Sequence, residues 1–367
     1  MVKDAFKESI CSMNLAIIGT AGIPANYGGF ETLADNLVNY LSGKYNITVY
    51  CSSKSYDKKT ESYKGAQLKY VNLKANGFQS VFYDTICILK AIRKSDVILL
   101  LGVSGAINIP FLKLFCNVKF VSNIDGIEWK RGKWNKFAVF FLKLSEYIAV
   151  KCSHNVIVDN IGIRKYVEKK YHRFDTHLIA YGGDNILQAK HSQPEYKYYF
   201  SVCRIEPENN VHILLDAFSR IKENIIIVGN WDQSNYGKNL YNRYSRADNI
   251  KLLSPIYNIE HLDYYRANAY CYLHGHSAGG TNPSLVEAMN LFLPIICFNV
   301  DFNRYTTHNQ ALYFSNADDL VNIVINVTKE ELDVIKEKMY CIAVEYYSWD
   351  HICSQYENLL LNCNKTT

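Results

Sequence analysis

Residues Gly19–Glu31 read GTAGIPANYGGFE, directly after the apolar run Leu15–Ile18 and at the opening of Phe30–Leu41. That second stretch carries Phe30, Leu33, Ala34, Leu37, Val38 and Leu41 at helical spacing, so the segment is a strand–loop–helix unit. Four glycines let the loop backbone approach a ligand closely, and the helix that follows offers unpaired amides to an anion. No Gly-Lys-Ser/Thr follows, so it is not a Walker loop, and the glycines do not fit the dinucleotide spacing G-x-G-x-x-G. A plain connection takes about two to six residues. This one is longer and holds Asn26, Tyr27 and Glu31, which points to a binding role.

The same alternation continues outward. Strand-like runs at 47–50, 68–71, 97–101, 119–122 and 155–158 alternate with helix-like stretches at 78–93, 136–151 and 164–170. It restarts with strands at 199–202, 225–228, 250–253, 269–273 and 295–298 and helices at 211–221, 258–267 and 283–290. Strands alternating with helices predict parallel sheets in right-handed crossovers, an α/β doubly wound class. The stretch QAKHSQPEYK, 188–197, is polar, contains a proline and has the composition of a linker. The expected organisation is a Rossmann-like domain over 1–187, a second over 188–345, and a final helix in 346–367 packing back towards the first. The final stretch, 329–361, reads as helix with a break near Ser348. Ligands of such sheets bind at the carboxyl ends of the strands.

With 367 residues, 49% apolar and 20% charged, the chain is long enough to bury a core without staples. Eleven cysteines stand singly with no C-x-x-C pair, which argues against a disulfide framework or a zinc site and for thiols in a reducing cytoplasm. The first fourteen residues lack the apolar core of a signal peptide. The longest uncharged run, 97–112, is too short and too interrupted to span a bilayer. Secreted, fibrous and integral-membrane classes are excluded on this reading. Residues 1–187 hold 25 Lys and Arg against 15 Asp and Glu, whereas 188–367 hold 15 against 20. The basic half is expected to face something anionic.

Three further segments sit at predicted strand ends. SNIDGIEWKRGKW, 122–134, offers the carboxylates of Asp125 and Glu128. It also interleaves Trp129 and Trp134 with Lys130, Arg131 and Lys133, a mix suited to sugars, bases or lipid headgroups. VCRIEPENN, 202–210, places Arg204 between a strand and a helix, suited to a bidentate phosphate contact, with Glu206 or Glu208 as the alternative partner. HGHSAGGTNPSLVEAMN, 274–290, runs Gly279, Gly280, Thr281 and Asn282 into Pro283 at a first-turn position, so a helix begins there with Glu287 one turn in. A buried glutamate with no counter-charge is costly, so a hydroxyl-rich ligand is expected beside it. His274 and His276 lack a third nearby ligand, and no metal is expected.

These segments, in this order, resemble bacterial retaining glycosyltransferases of the GT-B fold. The resemblance is strongest to a rhamnosyltransferase subgroup with a G-T-x-G-I-P-A-x-Y-G-G-F-E-T loop, here 19–32. It runs through VDNIGIRKYV (158–167), IAYGGD (179–184), CRIEPENN (203–210) and the tail YYSWDHICSQYENLL (346–360). The resemblance implies GT-B architecture, two Rossmann-like domains facing across a cleft. It implies a nucleotide-sugar donor, with dTDP-L-rhamnose leading, held by Gly22, Arg204, Gly279, Gly280, Thr281, Asn282 and Glu287. An acceptor would meet Asn26, Tyr27, Glu31, Glu128, Trp129, Lys130 and Arg131, and the catalytic set would be Asp125, Arg204 and Glu287. The second glutamate of the family's E-x7-E motif falls on Glu287, while the first falls on Gly279. The family's arginine–lysine diphosphate pair falls on Arg204 and Asn209.

Further implications are transfer with retention and no metal or cofactor, consistent with the absence of a D-x-D motif. The expected acceptor is an undecaprenyl-diphosphate-linked saccharide of O-antigen or capsule assembly, reached by a cytoplasmic protein at the inner membrane face. Other readings are a UDP- or GDP-hexose transferase, a sugar-nucleotide epimerase, an inactive relative and a nucleic-acid binder. The last is disfavoured because no nucleic-acid module is present.

Overall fold

A computed structural model describes residues 13–25, 28–124, 126, 129, 135–186 and 196–365. The first half runs β1 (Asn14–Ile18), α1 (Gly29–Leu41), β2 (Asn46–Ser52), β3 (Ser62–Tyr63), β4 (Ala66–Val71), α2 (Gln79–Ala91) and β5 (Val97–Leu101). A 3₁₀ turn, Ser104–Asn108, leads into α3 (Ile109–Leu112). Then come β6 (Lys119–Ile124), α4 (Lys136–Cys152), β7 (Asn155–Val158), α5 (Ile161–Tyr171) and β8 (Thr176–Leu178). The strands form one sheet in the order β3-β4-β2-β1-β5-β6-β7-β8, parallel except for the short β3–β4 hairpin.

The second half runs β9 (Tyr198–Val202), α6 (Val211–Phe218), β10 (Asn224–Val228), α7 (Asn235–Tyr244), β11 (Ile250–Leu253), α8 (Ile259–Ala267) and β12 (Cys271–His274). It continues through α9 (Pro283–Asn290), β13 (Ile295–Phe298), α10 (Asp301–Thr306), β14 (Leu312–Phe314) and α11 (Ala317–Asn326). Its strands form a parallel sheet in the order β11-β10-β9-β12-β13-β14. Strand order reverses between β1 and β5 in one sheet and between β9 and β12 in the other. Crevices open at the carboxyl ends of those strands.

The expected α/β class, two Rossmann-like parallel sheets, is the observed one. Several short elements were not anticipated. Helix α7, NYGKNLYNRY, buries only Gly237, Leu240 and Tyr244, so its apolar spacing is too sparse to read, and Ser234 starts it by accepting the Gly237 amide. The helix expected over 211–221 stops at Phe218, where the Arg220 amide turns back to the Ala217 carbonyl.

Two last helices, α12 (Lys329–Tyr346) and α13 (Trp349–Lys365), break at Tyr347–Ser348. The first starts with a capping box between Thr328 and Glu331. Helix α13 returns to the first domain, where Trp349, Ile352, Tyr356 and Leu360 join α1 and the β1 core. Its start is pinned to the interdomain segment: the Trp349 amide donates to Asp184 Oδ1 at 2.7 Å, and the Gly183 amide to the Tyr347 carbonyl at 2.8 Å. Glycines are required here. A Cβ on Gly182 would stand 2.5 Å from the Trp349 ring, and one on Gly183 2.5 Å from the Val286 carbonyl carbon of α9. The opposite face of the first sheet is covered by α2, the 3₁₀ turn, α3 and α4.

Among the described residues no helix is long and apolar enough to cross a membrane. The described cysteines are free thiols, and Cys51, Cys87, Cys271 and Cys297 are core residues held above their ordinary pKa by burial.

Candidate active site

The loop after β1 is built before any ligand arrives. Glu31, in the first turn of α1, accepts from the Thr20 hydroxyl at 3.1 Å and the Ala21 amide at 2.7 Å through Oε1. Beneath it the buried Tyr83 hydroxyl donates to the carbonyls of Thr20 and Tyr50. Gly19 has φ +100°, and a Cβ there would stand 2.1 Å from the Leu101 carbonyl oxygen, so the loop lies directly on the end of β5. Gly22 has φ +129° and packs against Cys51 and Tyr56. Glu31, read as an acceptor ligand, thus holds the loop with one of its oxygens.

The second sheet supplies two loops from adjacent strands, β9 and β12. They are strapped together: Asn210 Nδ2 donates to the Gly275 carbonyl at 2.9 Å, and the Ser277 amide and hydroxyl both donate to the Glu208 carbonyl. Arg204 leaves the end of β9 half-buried, with Nη1 at 3.8 Å from Glu206 Oε2, an ion contact longer than a hydrogen bond. Asn209, at the family's lysine position, is buried and donates to the Arg204 carbonyl at 2.6 Å. That residue therefore shapes the arginine's loop and cannot supply a cation.

Gly279, at the position of the family's first glutamate, has φ +124°, a backbone that L side chains rarely adopt. The loop before α9 is built around glycine there. It also meets the first domain across the cleft. A Cβ on Gly126 would stand 3.3 Å from the Gly279 Cα, and one on Gly280 would overlap the Asp159 carboxylate. Asp159, just past the end of β7, accepts from the Thr281 amide at 3.0 Å, and its carbonyl accepts from the Thr281 hydroxyl at 2.5 Å. A carboxylate thus already occupies the Thr281 amide. Asn160 Nδ2 adds interdomain bonds to the Phe302 carbonyl and Thr306 Oγ1, and the segment before the linker is tied to α1 by Tyr181 Oη to the Gly29 carbonyl and Asn185 Nδ2 to Asn36 Oδ1.

Glu287 departs from the expectation that it lacks a counter-charge. Its Oε2 accepts from Arg266 Nη2 at 2.6 Å, and Arg266 Nη1 donates to the fully buried Asp263 at 3.1 Å. Burial works against the Arg266 charge, but Glu287 and Asp263 outweigh it and raise its pKa. The i,i+3 spacing of Asp263 and Arg266 was visible in the sequence; Glu287, on another helix, was not. Asp159 could have been noticed by the strand-end logic that singled out Asp125.

Trp129 sits over a buried polar cluster. Its indole N–H donates to Glu146 Oε2 at 3.0 Å, and Lys143 and Lys170 lie 4.4 and 4.9 Å from its ring centroid. Glu146 also accepts from Tyr166 at 2.5 Å and from Tyr171. The ring is thus engaged within the first domain. His274, ending β12, is fully buried, and burial with the neighbouring His276 pushes its pKa well below the ordinary value, so it is neutral. The two imidazoles stack at 4.3 Å. Asn26, Tyr27, Asp125, Glu128, Lys130 and Arg131 lie outside the described residues.

Comparisons with known proteins agree with this architecture. Residues 12–184 match a domain family of unknown function, DUF1972, and residues 184–342 match the family model "Glycosyl transferases group 1". No curated protein matches the sequence. A sucrose-phosphate synthase from Thermosynechococcus elongatus superposes with a TM-score of 0.82 at 15% identity, over 97% of this chain and 100% of that one. Anabaena HepE, solved with UDP and glucose, gives 0.73 at 14%, over 95% and 100%. A glycosyltransferase from Rickettsia africae gives 0.72 at 12%, over 97% and 100%. Two facing parallel-sheet domains give the chain a GT-B fold, and its residues 184–342 match the model of the group 1 glycosyltransferases.

Proposed function

We propose that the chain transfers a sugar from a nucleoside-diphosphate donor, with dTDP-L-rhamnose leading, onto a lipid-linked saccharide in bacterial surface-polysaccharide assembly. The observation that carries this reading is the convergence of the Arg204 loop and the Gly279–Asn282 loop at neighbouring strand ends, where the latter meets the first domain at Gly126 and Asp159. Support for the donor class comes from HepE, which shares the fold and was solved with UDP and glucose. The rhamnosyl and acceptor assignments rest on the sequence resemblance alone.

Cleaving a sugar–diphosphate bond places negative charge on the departing phosphate and positive charge on the ring. Arg204 and the Gly279 and Gly280 amides, but not the Thr281 amide held by Asp159, are the groups assigned to the phosphate, where fixed donors lower the barrier without reorganising. Glu287, oriented by Arg266, is assigned to sugar hydroxyls of the donor. Retention follows if the acceptor hydroxyl attacks from the leaving-group side and the phosphate takes its proton. No metal or other cofactor is assigned a step. Asp125, Glu128 and the Asn26–Tyr27 segment are assigned to the acceptor side.

The test is a thermal-shift screen against dTDP, UDP and GDP followed by turnover of the matching sugars, since a ligand that binds only the folded chain raises its midpoint. dTDP is expected to give the largest shift and dTDP-L-rhamnose the turnover. Transfer from UDP-glucose with none from dTDP-L-rhamnose reassigns the donor, and sugar-nucleotide rearrangement without added acceptor reassigns the reaction. Arg204→Ala is expected to lower transfer by about ten- to a hundred-fold, the worth of one charge-assisted hydrogen bond, at unchanged melting temperature. Wild-type turnover in that variant removes Arg204 from the site.

A further inference from the structure

Helices α2, α3 and α4 cover one face of the first sheet, yet their outward sides are not polar. On α2, Phe78, Phe82, Ile86 and Leu89 follow helical spacing and are exposed, while Tyr83, Cys87, Ile88 and Ala91 fill the core beneath. In and after α3, Phe111, Leu114 and Phe115 are 65%, 77% and 71% exposed, and α4 adds Phe137, Phe140 and Leu144. The rings associate locally: Phe78 lies 5.6 Å from Phe82, and Phe111 lies 4.9 Å from Phe115. A helix layer apolar on both sides has a second partner besides its own core.

The charge around these side chains has one sign. Lys90, Lys113, Lys136 and Lys151 are exposed on the same three segments. The only acidic residues of α2, α3 and α4, Asp84 and Glu146, are buried on the inner side. A two-fold contact with a second copy would set this cationic face against itself. Exposed phenylalanines ringed by lysines instead match the apolar–anionic boundary of a lipid bilayer.

We propose that the outer face of α2, α3 and α4 docks the protein on an anionic membrane. This extends the lipid-linked-acceptor reading, and its test uses no turnover, so the two fail separately. It also shifts the membrane contact away from Trp129, whose ring is engaged with Glu146, Lys143 and Lys170.

Flotation of the full chain with vesicles decides the matter, comparing phosphatidylcholine alone with an equal mixture of phosphatidylcholine and phosphatidylglycerol. The wild type is expected to float with the mixed vesicles, less so as salt rises, and weakly with the neutral ones. Phe111→Ser/Phe115→Ser/Phe140→Ser is expected to bind about tenfold or more weakly, with unchanged melting temperature and dTDP shift. Lys90→Glu/Lys136→Glu/Lys151→Glu is expected to lose the preference for phosphatidylglycerol. A wild type that stays unbound at low salt overturns the proposal, as does a serine variant that floats normally. A dimer in solution that the serine variant dissociates also overturns it and assigns the face to a second copy.

Discussion

Replacing Arg266 by leucine is expected to destabilise the second domain by about 3–5 kcal/mol, the usual result of removing one partner from a buried ion cluster. The guanidinium joins Asp263, which is fully buried, to Glu287 across two helices. Without it the buried Asp263 and the partly exposed Glu287 lose the guanidinium they share. Part of the loss should return in Arg266→Leu/Asp263→Asn/Glu287→Gln, where nothing remains to ionise. Denaturant unfolding of the variants measures both effects, and wild-type stability in Arg266→Leu rules the cluster out as a structural element. The same geometry changes how Glu287, assigned to donor hydroxyls, is probed. Glu287→Ala removes a hydroxyl acceptor and strips Arg266 of one partner, so lost activity in it mixes two causes. Glu287→Gln retains the shape and a hydrogen-bond acceptor, and its stability must be read beside its turnover.

The second large effect concerns pH. Asp84 lies in α2 against Gly105, and burial raises its pKa to about 8 from an ordinary 3.8. Its titratable neighbours Tyr83 and Cys87 are themselves pushed up by burial and stay neutral. The folded state therefore holds a proton that the unfolded chain releases. This group's contribution is fully present below about pH 4 and is lost as pH rises towards 8. The loss totals roughly 5 kcal/mol when the carboxyl stays dry, and less when water reaches it. Asp84→Asn cannot ionise, so its unfolding midpoint should decline less than the wild type's between pH 5 and 8.5. Parallel declines in the two proteins would mean that Asp84 titrates normally.

Regular alternation made the architecture legible. The runs at 97–101 and 295–298 coincide with β5 and β13 because a parallel strand covered on both faces must be apolar along its whole length. The 3.6-residue spacing of Leu33, Leu37 and Leu41 likewise marked α1, since one face had to meet a core. Glycines also carried information, for a positive φ or a close approach leaves few other residues possible. Gly19 and Gly279 are such positions, and both fall in loops picked out for function.

Local sequence therefore determined the α/β class, the strand-end loops, the position of Arg204 in one of them and that of Glu287 one turn into the helix after another. Tertiary structure alone decided what those side chains touch. Glu287 meets Arg266 over 21 residues, Thr281 meets Asp159 over 122, and Asn123 meets the Tyr356 hydroxyl over 233. Neither partner in these pairs constrains the residue type near the other in the chain, so no periodicity announces them. The exposed apolar side of α2 and α4 was hidden for a related reason. Apolar residues on the inner and outer sides of a helix look alike in sequence, and only packing shows which ones found a core.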